Sequence, residues 1–117
     1  MPEELDEEGL EEALNSGDTW VVDFWAEWCG PCKKMAPHFE EAGEEMDVNF
    51  GKVDMEEHQQ LVGHMGVRAL PTVLIFQDGE EIARQSGLMN KDQLNTRIES
   101  EAYEFCQVDN TCSLLSL

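Results

Sequence analysis

The sequence predicts a single α/β domain: a mixed four-stranded sheet with helices on both faces. Three observations carry that expectation. Hydrophobic spacing switches between the helical and strand periods in the order α-β-α-β-α-β-β-α. Two of those switches are helical crossovers, which demand parallel strands, whereas Asp78-Gly79 joins its flanking strands as an antiparallel hairpin. At 117 residues the chain also buries roughly two-thirds of the surface it exposes when unfolded, enough for one core.

The elements follow in order. Residues 3–16 place Leu5, Gly9, Leu10, Ala13 and Leu14 on one helical face and carboxylates on the other, and Ser16-Gly17-Asp18 ends the helix. Residues 19–26 are aromatic and β-branched, apolar on both faces except for Asp23, as a central strand is. Helical spacing resumes with Met35, Phe39, Ala42 and Met46, and Pro37 inside that pattern is expected to kink it. Residues 48–54 alternate weakly and read as a second strand; a short helix from Gln59 to Met65 ends at Gly66, a C-cap residue. Thr72 to Gln77 is the strongest strand signal and pairs through the hairpin with Glu80 to Ser86. Asn90 followed by Gln93 resembles a capping box, opening a helix that turns Leu94, Ile98, Ala102 and Phe105 inward. Beyond Cys106 the periodicity dissolves, dividing the chain into a domain over 1–105 and a carboxy-terminal tail over 106–117. There is no internal repeat and no linker.

Charge narrows the function classes. Seven Lys and Arg against 26 Asp and Glu give a formal charge of −19, which disfavours nucleic acid and anionic membranes as partners. No stretch approaches the roughly 20 apolar residues of a membrane span. The acidic opening from Met1 to Glu8 lacks the basic and apolar regions of a secretory leader, so the expectation is a soluble, cytoplasmic protein. In that compartment structural thiols stay reduced, so four cysteines point to catalysis or metal rather than to a disulfide scaffold.

The chemistry centres on Trp28-Cys29-Gly30-Pro31-Cys32, set where the strand over 19–26 gives way to a helix. A thiolate, not a thiol, attacks a disulfide, and the free N–H groups and dipole at a helix amino end favour the thiolate. Cys29 falls at that end, Gly30 permits close backbone approach, and Pro31 suits a first helical turn, where its missing N–H is no loss. Cys32, one turn deeper, is more shielded and suits the resolving role. The rival is half of a zinc site, but the second half is missing: Cys106 and Cys112 lack zinc-ribbon spacing, and His38, His58 and His64 form no ligand ladder. No metal is expected. Asp23 is open on pattern alone between a buried carboxyl with a raised pKa, able to take the Cys32 proton, and a partly wet residue at a strand end.

The run from Val22 to Lys33 resembles thioredoxin, and the likeness continues through Met35-Ala36-Pro37, Lys52-Val53-Asp54, Gly66 to Thr72, Asp78-Gly79 and Gly87. It covers nearly everything from residue 19 to about 102. The resemblance implies a thioredoxin-like fold and a protein-disulfide reductase that needs no cofactor beyond its two thiols. Cys29 would attack a target disulfide and Cys32 would resolve the mixed disulfide. It also implies Asp23 as a buried proton acceptor with Lys52 as its partner. A cis peptide is implied before Pro71, although only about one X-Pro bond in twenty is cis. Leu70 would pair with the substrate backbone, and Trp28, Gly30, Pro31, Pro71 and Gly87 would border the docking patch. Implied partners are protein disulfides and a thioredoxin reductase or equivalent donor, with the protein a monomer. The Gly-Pro interior resembles the reducing members of the superfamily; an oxidase or isomerase, or a redox-switched binding module for one partner, are the alternatives.

Two departures stand out. Thioredoxins begin with a strand before the first helix, and a helix over 3–16 leaves no room for one, so residues 48–54 are expected as an exposed edge. The tail carries Cys106 and Cys112, readable as a second redox pair or as ordinary thiols and a local staple. The acidity resembles that of proteins from halophilic archaea, against the plainer reading of a highly soluble protein.

Overall fold

Among the described residues five strands form one sheet in the order β1-β3-β2-β4-β5. They are β1 (Glu3–Glu4), β2 (Thr19–Trp25), β3 (Asn49–Asp54), β4 (Thr72–Gln77) and β5 (Glu80–Ser86), with helices α1 (Glu7–Asn15), α2 (Gly30–Glu45), α3 (Gln59–His64) and α4 (Lys91–Glu101). The computed structural model describes residues 2–101; the expectations for Ala102, Phe105, Cys106, Cys112 and the tail lie outside the described residues. β2 runs parallel to β3 and antiparallel to β4, and β4 and β5 form the hairpin. The turn places Asp78 and Gly79 at φ 55° and 82°, the left-handed pair that a two-residue hairpin with matching twist requires.

The start of the chain differs from its helical reading. Asp6 caps α1, its Oδ1 accepting from the Gly9 amide at 2.7 Å, so the helix begins at Glu7 and frees the preceding residues. Glu3 and Glu4 pair in parallel with Gly51 and Lys52 of β3, and the Leu5 amide donates to the Lys52 carbonyl at 2.8 Å. The first strand is therefore present but two residues long, the sheet has five strands rather than four, and β3 is not the edge. Leu5 satisfies the helical pattern because it is buried, yet it is buried from a strand end: residues two apart in a strand and three or four apart in a helix coincide here. Gly51 makes this seat possible. A Cβ at Gly51 would lie 2.5 Å from Leu5 Cδ1 and 3.3 Å from Trp20 Cζ3.

Alternation along the strands divides the core between the two sheet faces. Val21, Val73 and Ile75 meet Met35, Phe39 and Ala42 of α2 and Leu94 and Ile98 of α4 on one face. Val22, Phe24, Val53, Leu74 and Phe76 meet Leu10 of α1 and Val62 of α3 on the other. α2 continues through Pro37 as one helix. α3 closes at Gly66, φ 71°, whose amide donates to Gly63. The capping box is reciprocal: the Asn90 amide donates to Gln93 Oε1 at 2.9 Å and the Gln93 amide to Asn90 Oδ1 at 2.8 Å. The ring of His38 adds a link between α2 and this cap, its Nδ1 accepting from the Lys91 amide at 3.3 Å. Among the described residues no helix is long and apolar enough to cross a membrane.

Candidate active site

β2 ends at Trp25, and Ala26, Glu27 and Trp28 carry the chain to α2, whose N-cap is Cys29. An N-cap side chain normally accepts from an exposed helix amide; here a sulfur does so, Cys29 Sγ accepting from the Cys32 amide at 3.2 Å. Cys29 and Cys32 are joined by a disulfide with their Cα atoms 5.2 Å apart, and both are buried. Pro31 lies in the first turn of α2. Trp28 is 62% exposed, and with Leu88 it is one of the two large apolar side chains that stand open to solvent among the described residues. It lines a groove of about 740 Å³ together with Cys29, Gly30, Pro31 and Leu70 and with Met55, Gln59, Val62 and Val67.

The Leu70–Pro71 peptide is cis. Pro71 is buried, its carbonyl accepts from the Gly87 amide at 2.8 Å, and Thr72 Oγ1 bonds both the Ala69 carbonyl and Ser86 Oγ. These contacts tie the loop before β4 to the end of β5. Gly87 has φ 103°, a region that L side chains rarely adopt.

Asp23 is 1% exposed, and neither of its carboxylate oxygens has a hydrogen-bond partner among the described residues. It shares the sheet face of Val21, on which α2 packs, because residues two apart in a strand project together. Burial pushes its pKa up to about 7; the Lys52 ammonium pulls it down, and the Glu4 carboxylate raises it further. Register explains these neighbours: Glu4 pairs with Lys52 and Lys52 with Asp23, a carboxyl–ammonium–carboxyl row across β1, β3 and β2. Lys52 forms no ion pair with Asp23. Its Nζ lies 4.6 Å from the centre of the Trp25 ring, a cation–π contact, and it acts on Asp23 through its field.

The thioredoxin family model matches residues 2–100. The chain belongs to the thioredoxin family. The thioredoxin of Mycoplasma genitalium is 38% identical over 86 residues, 73% of this chain and 84% of that protein. The thioredoxin of Bacillus subtilis is 42% identical over 76 residues, 63% of this chain and 73% of the other. Among solved structures, a mutant thioredoxin from Halobacterium salinarum NRC-1 matches with a TM-score of 0.80 at 36% identity, covering 86% of this chain and 89% of that one. Thioredoxins are thiol-disulfide oxidoreductases, and the Cys29–Cys32 pair supplies the dithiol–disulfide couple for that activity here.

Within this thioredoxin fold the sequence-derived candidates fall into three places. Cys29, Cys32, Trp28, Gly30, Pro31 and Leu70 share the groove and the helix end beside it; Pro71 and Gly87 hold the loop behind it; Asp23 and Lys52 sit within the sheet. Met55, Val62, Val67 and Arg68 also line the groove and are not among those candidates. The signal that finds them is positional: Met55 follows the carboxyl end of β3, the end at which open α/β sheets bind ligands. Among the described residues no group of three or more His, Cys, Asp or Glu is placed to hold a metal ion.

Proposed function

We propose that Cys29 is the attacking thiolate and Cys32 the resolving thiol of a protein-disulfide reductase. In the first step Cys29 sulfur bonds one sulfur of the target disulfide, and the target's other sulfur leaves as a thiolate that takes up a proton. In the second, the Cys32 thiol gives its proton to the Asp23 carboxylate and attacks Cys29. The second target thiolate is released and the Cys29–Cys32 disulfide remains. Two electrons pass to the target, and a thioredoxin reductase or equivalent dithiol donor returns them. The observation that carries this assignment is the asymmetry at the helix end: Cys29 caps α2 and borders the groove, whereas Cys32 lies within the helix and is not among the groove's described lining residues. An amide already directed at Cys29 sulfur favours its thiolate form.

Asp23 suits the proton-acceptor role because its pKa of about 7 matches an acid–base group working near neutral pH. Lys52 keeps that carboxyl from rising further, and Trp28, Leu70, Pro71 and Gly87 bound the surface on which the target chain lies. The domain extends to about residue 105. The protein is a cytoplasmic monomer, and its charge of −19, with the Halobacterium salinarum thioredoxin among similar structures, supports a halophilic source. The test is reduction of insulin with dithiothreitol as donor, at low and at multimolar salt. Insulin precipitation is expected; no acceleration at either salt would overturn the reductase reading.

A further inference from the structure

The groove beside Cys29 has an unusual charge inventory. The chain holds 26 Asp and Glu, yet among the described residues no carboxylate lines the groove, and the one charged lining residue there is Arg68. Five of the seven Lys and Arg are engaged elsewhere: Lys33 with Glu27, Arg84 with Glu81, Lys91 with Glu45 and Arg97 with Glu101, while Lys52 lies over Trp25. Of the remaining two, Lys34 and Arg68, only Arg68 reaches the groove, and it has no ion-pair partner among the described residues. The backbone leading to it is fixed. Arg84 donates to the carbonyls of Met65 at 2.9 Å and Gly66 at 3.2 Å, and the Val67 amide donates to Val62 at 3.2 Å.

We propose that this groove selects target segments carrying a carboxylate side chain close to the reacting cysteine, with Arg68 as the residue that binds it. The proposal rests on the reading of Cys29 and Cys32 as the reductase pair. A guanidinium presents paired N–H donors that match a carboxylate, and the described lining, in which Gln59 is the one amide side chain, holds no carboxylate to compete for it. The surrounding charge of −19 repels acidic segments at long range, but salt shortens that repulsion to a few ångströms, which leaves direct contact with the exposed Arg68 side chain as the selective interaction. A lysine at the same place in the target meets Arg68 with no counter-charge among the described lining residues.

The test uses peptides with one intramolecular disulfide that differ only in Glu, Gln or Lys, placed in turn at each of the three positions on either side of the reacting cysteine. The readout is the ratio of kcat/KM values, in 1 M KCl, for the full chain and for Arg68→Gln and Arg68→Lys. At one of the positions the wild type is expected to favour Glu over Gln by about threefold, with Lys slowest; Arg68→Gln brings the ratio close to one and Arg68→Lys keeps part of it. Equal rates for the three peptides at every position, or an undiminished ratio in Arg68→Gln, overturns the proposal while leaving the reductase reading intact. A wild type that reduces neither these peptides nor a small aromatic disulfide overturns both.

Discussion

Asp23 brings the opposing forces at the site into one side chain. It is ionised only against the burial that raises its pKa from 3.8 to about 7, and the sign of the effect on stability follows. Between these values the folded chain holds a proton that the unfolded chain has lost, so stability falls as pH rises from about 4 to about 7 and then levels. The penalty at pH 8 is on the order of 4 kcal/mol. Asp23→Asn, which keeps the shape of the protonated acid, is expected to raise stability by a few kcal/mol at pH 8 and by about 1 kcal/mol at pH 4.5, while slowing release of the target from Cys29. Urea unfolding at both pH values checks this; a gain independent of pH would contradict it. At this scale the sequence is informative in unequal measure. Cys29, Gly30, Pro31 and Cys32 are readable from spacing and helix-end chemistry alone. The cis peptide before Pro71 is reached only through the resemblance, because local preference favours trans, and Arg68 gives no local signal because its setting is made by α3 and the loop before β4.

Among the elements, β1 shows where periodicity misleads. A two-residue strand leaves almost no alternation to read, and Leu5 fits a helical face and a strand end equally well. Its true position depends on Gly51, 46 residues later in the chain, which the sequence pattern does not connect to it. Gly51→Ala is expected to lose about 1–3 kcal/mol by forcing Leu5 off its seat. Leu5→Ala should relieve the clash, so a double-mutant cycle by chemical denaturation should give a favourable coupling of about 0.5 kcal/mol or more; simple additivity would contradict the contact. The stronger elements are legible because their signals are local and redundant. β4 has an apolar run closed by Asp78-Gly79, and α4 has both halves of its capping box within four residues. Replacing Asn90 by Ala is expected to cost about 1 kcal/mol, measured by thermal unfolding, and no loss would show that the cap does not hold the helix.

For the whole molecule, the charge of −19 sets the conditions under which the site works. Self-repulsion acts over about 10 Å at 0.1 M salt and about 3 Å at 1 M, so Tm is expected to rise by roughly 5–10 °C between 0.1 and 2 M KCl; an unchanged Tm would show that the acidic surface is not under strain. Fold and chemistry then meet at one point, the amino end of α2, where β2 delivers Cys29 to the rim of the groove and the helix withdraws Cys32 behind it. The most direct measurement of that division is a Cys32→Ser variant incubated with oxidised protein substrates, alkylated and mapped by mass spectrometry. Stable mixed disulfides are predicted on Cys29, because the thiol that resolves them is gone. If no mixed disulfide accumulates there, or if Cys29→Ser traps targets on Cys32 equally well, the assigned roles of the two sulfurs are wrong.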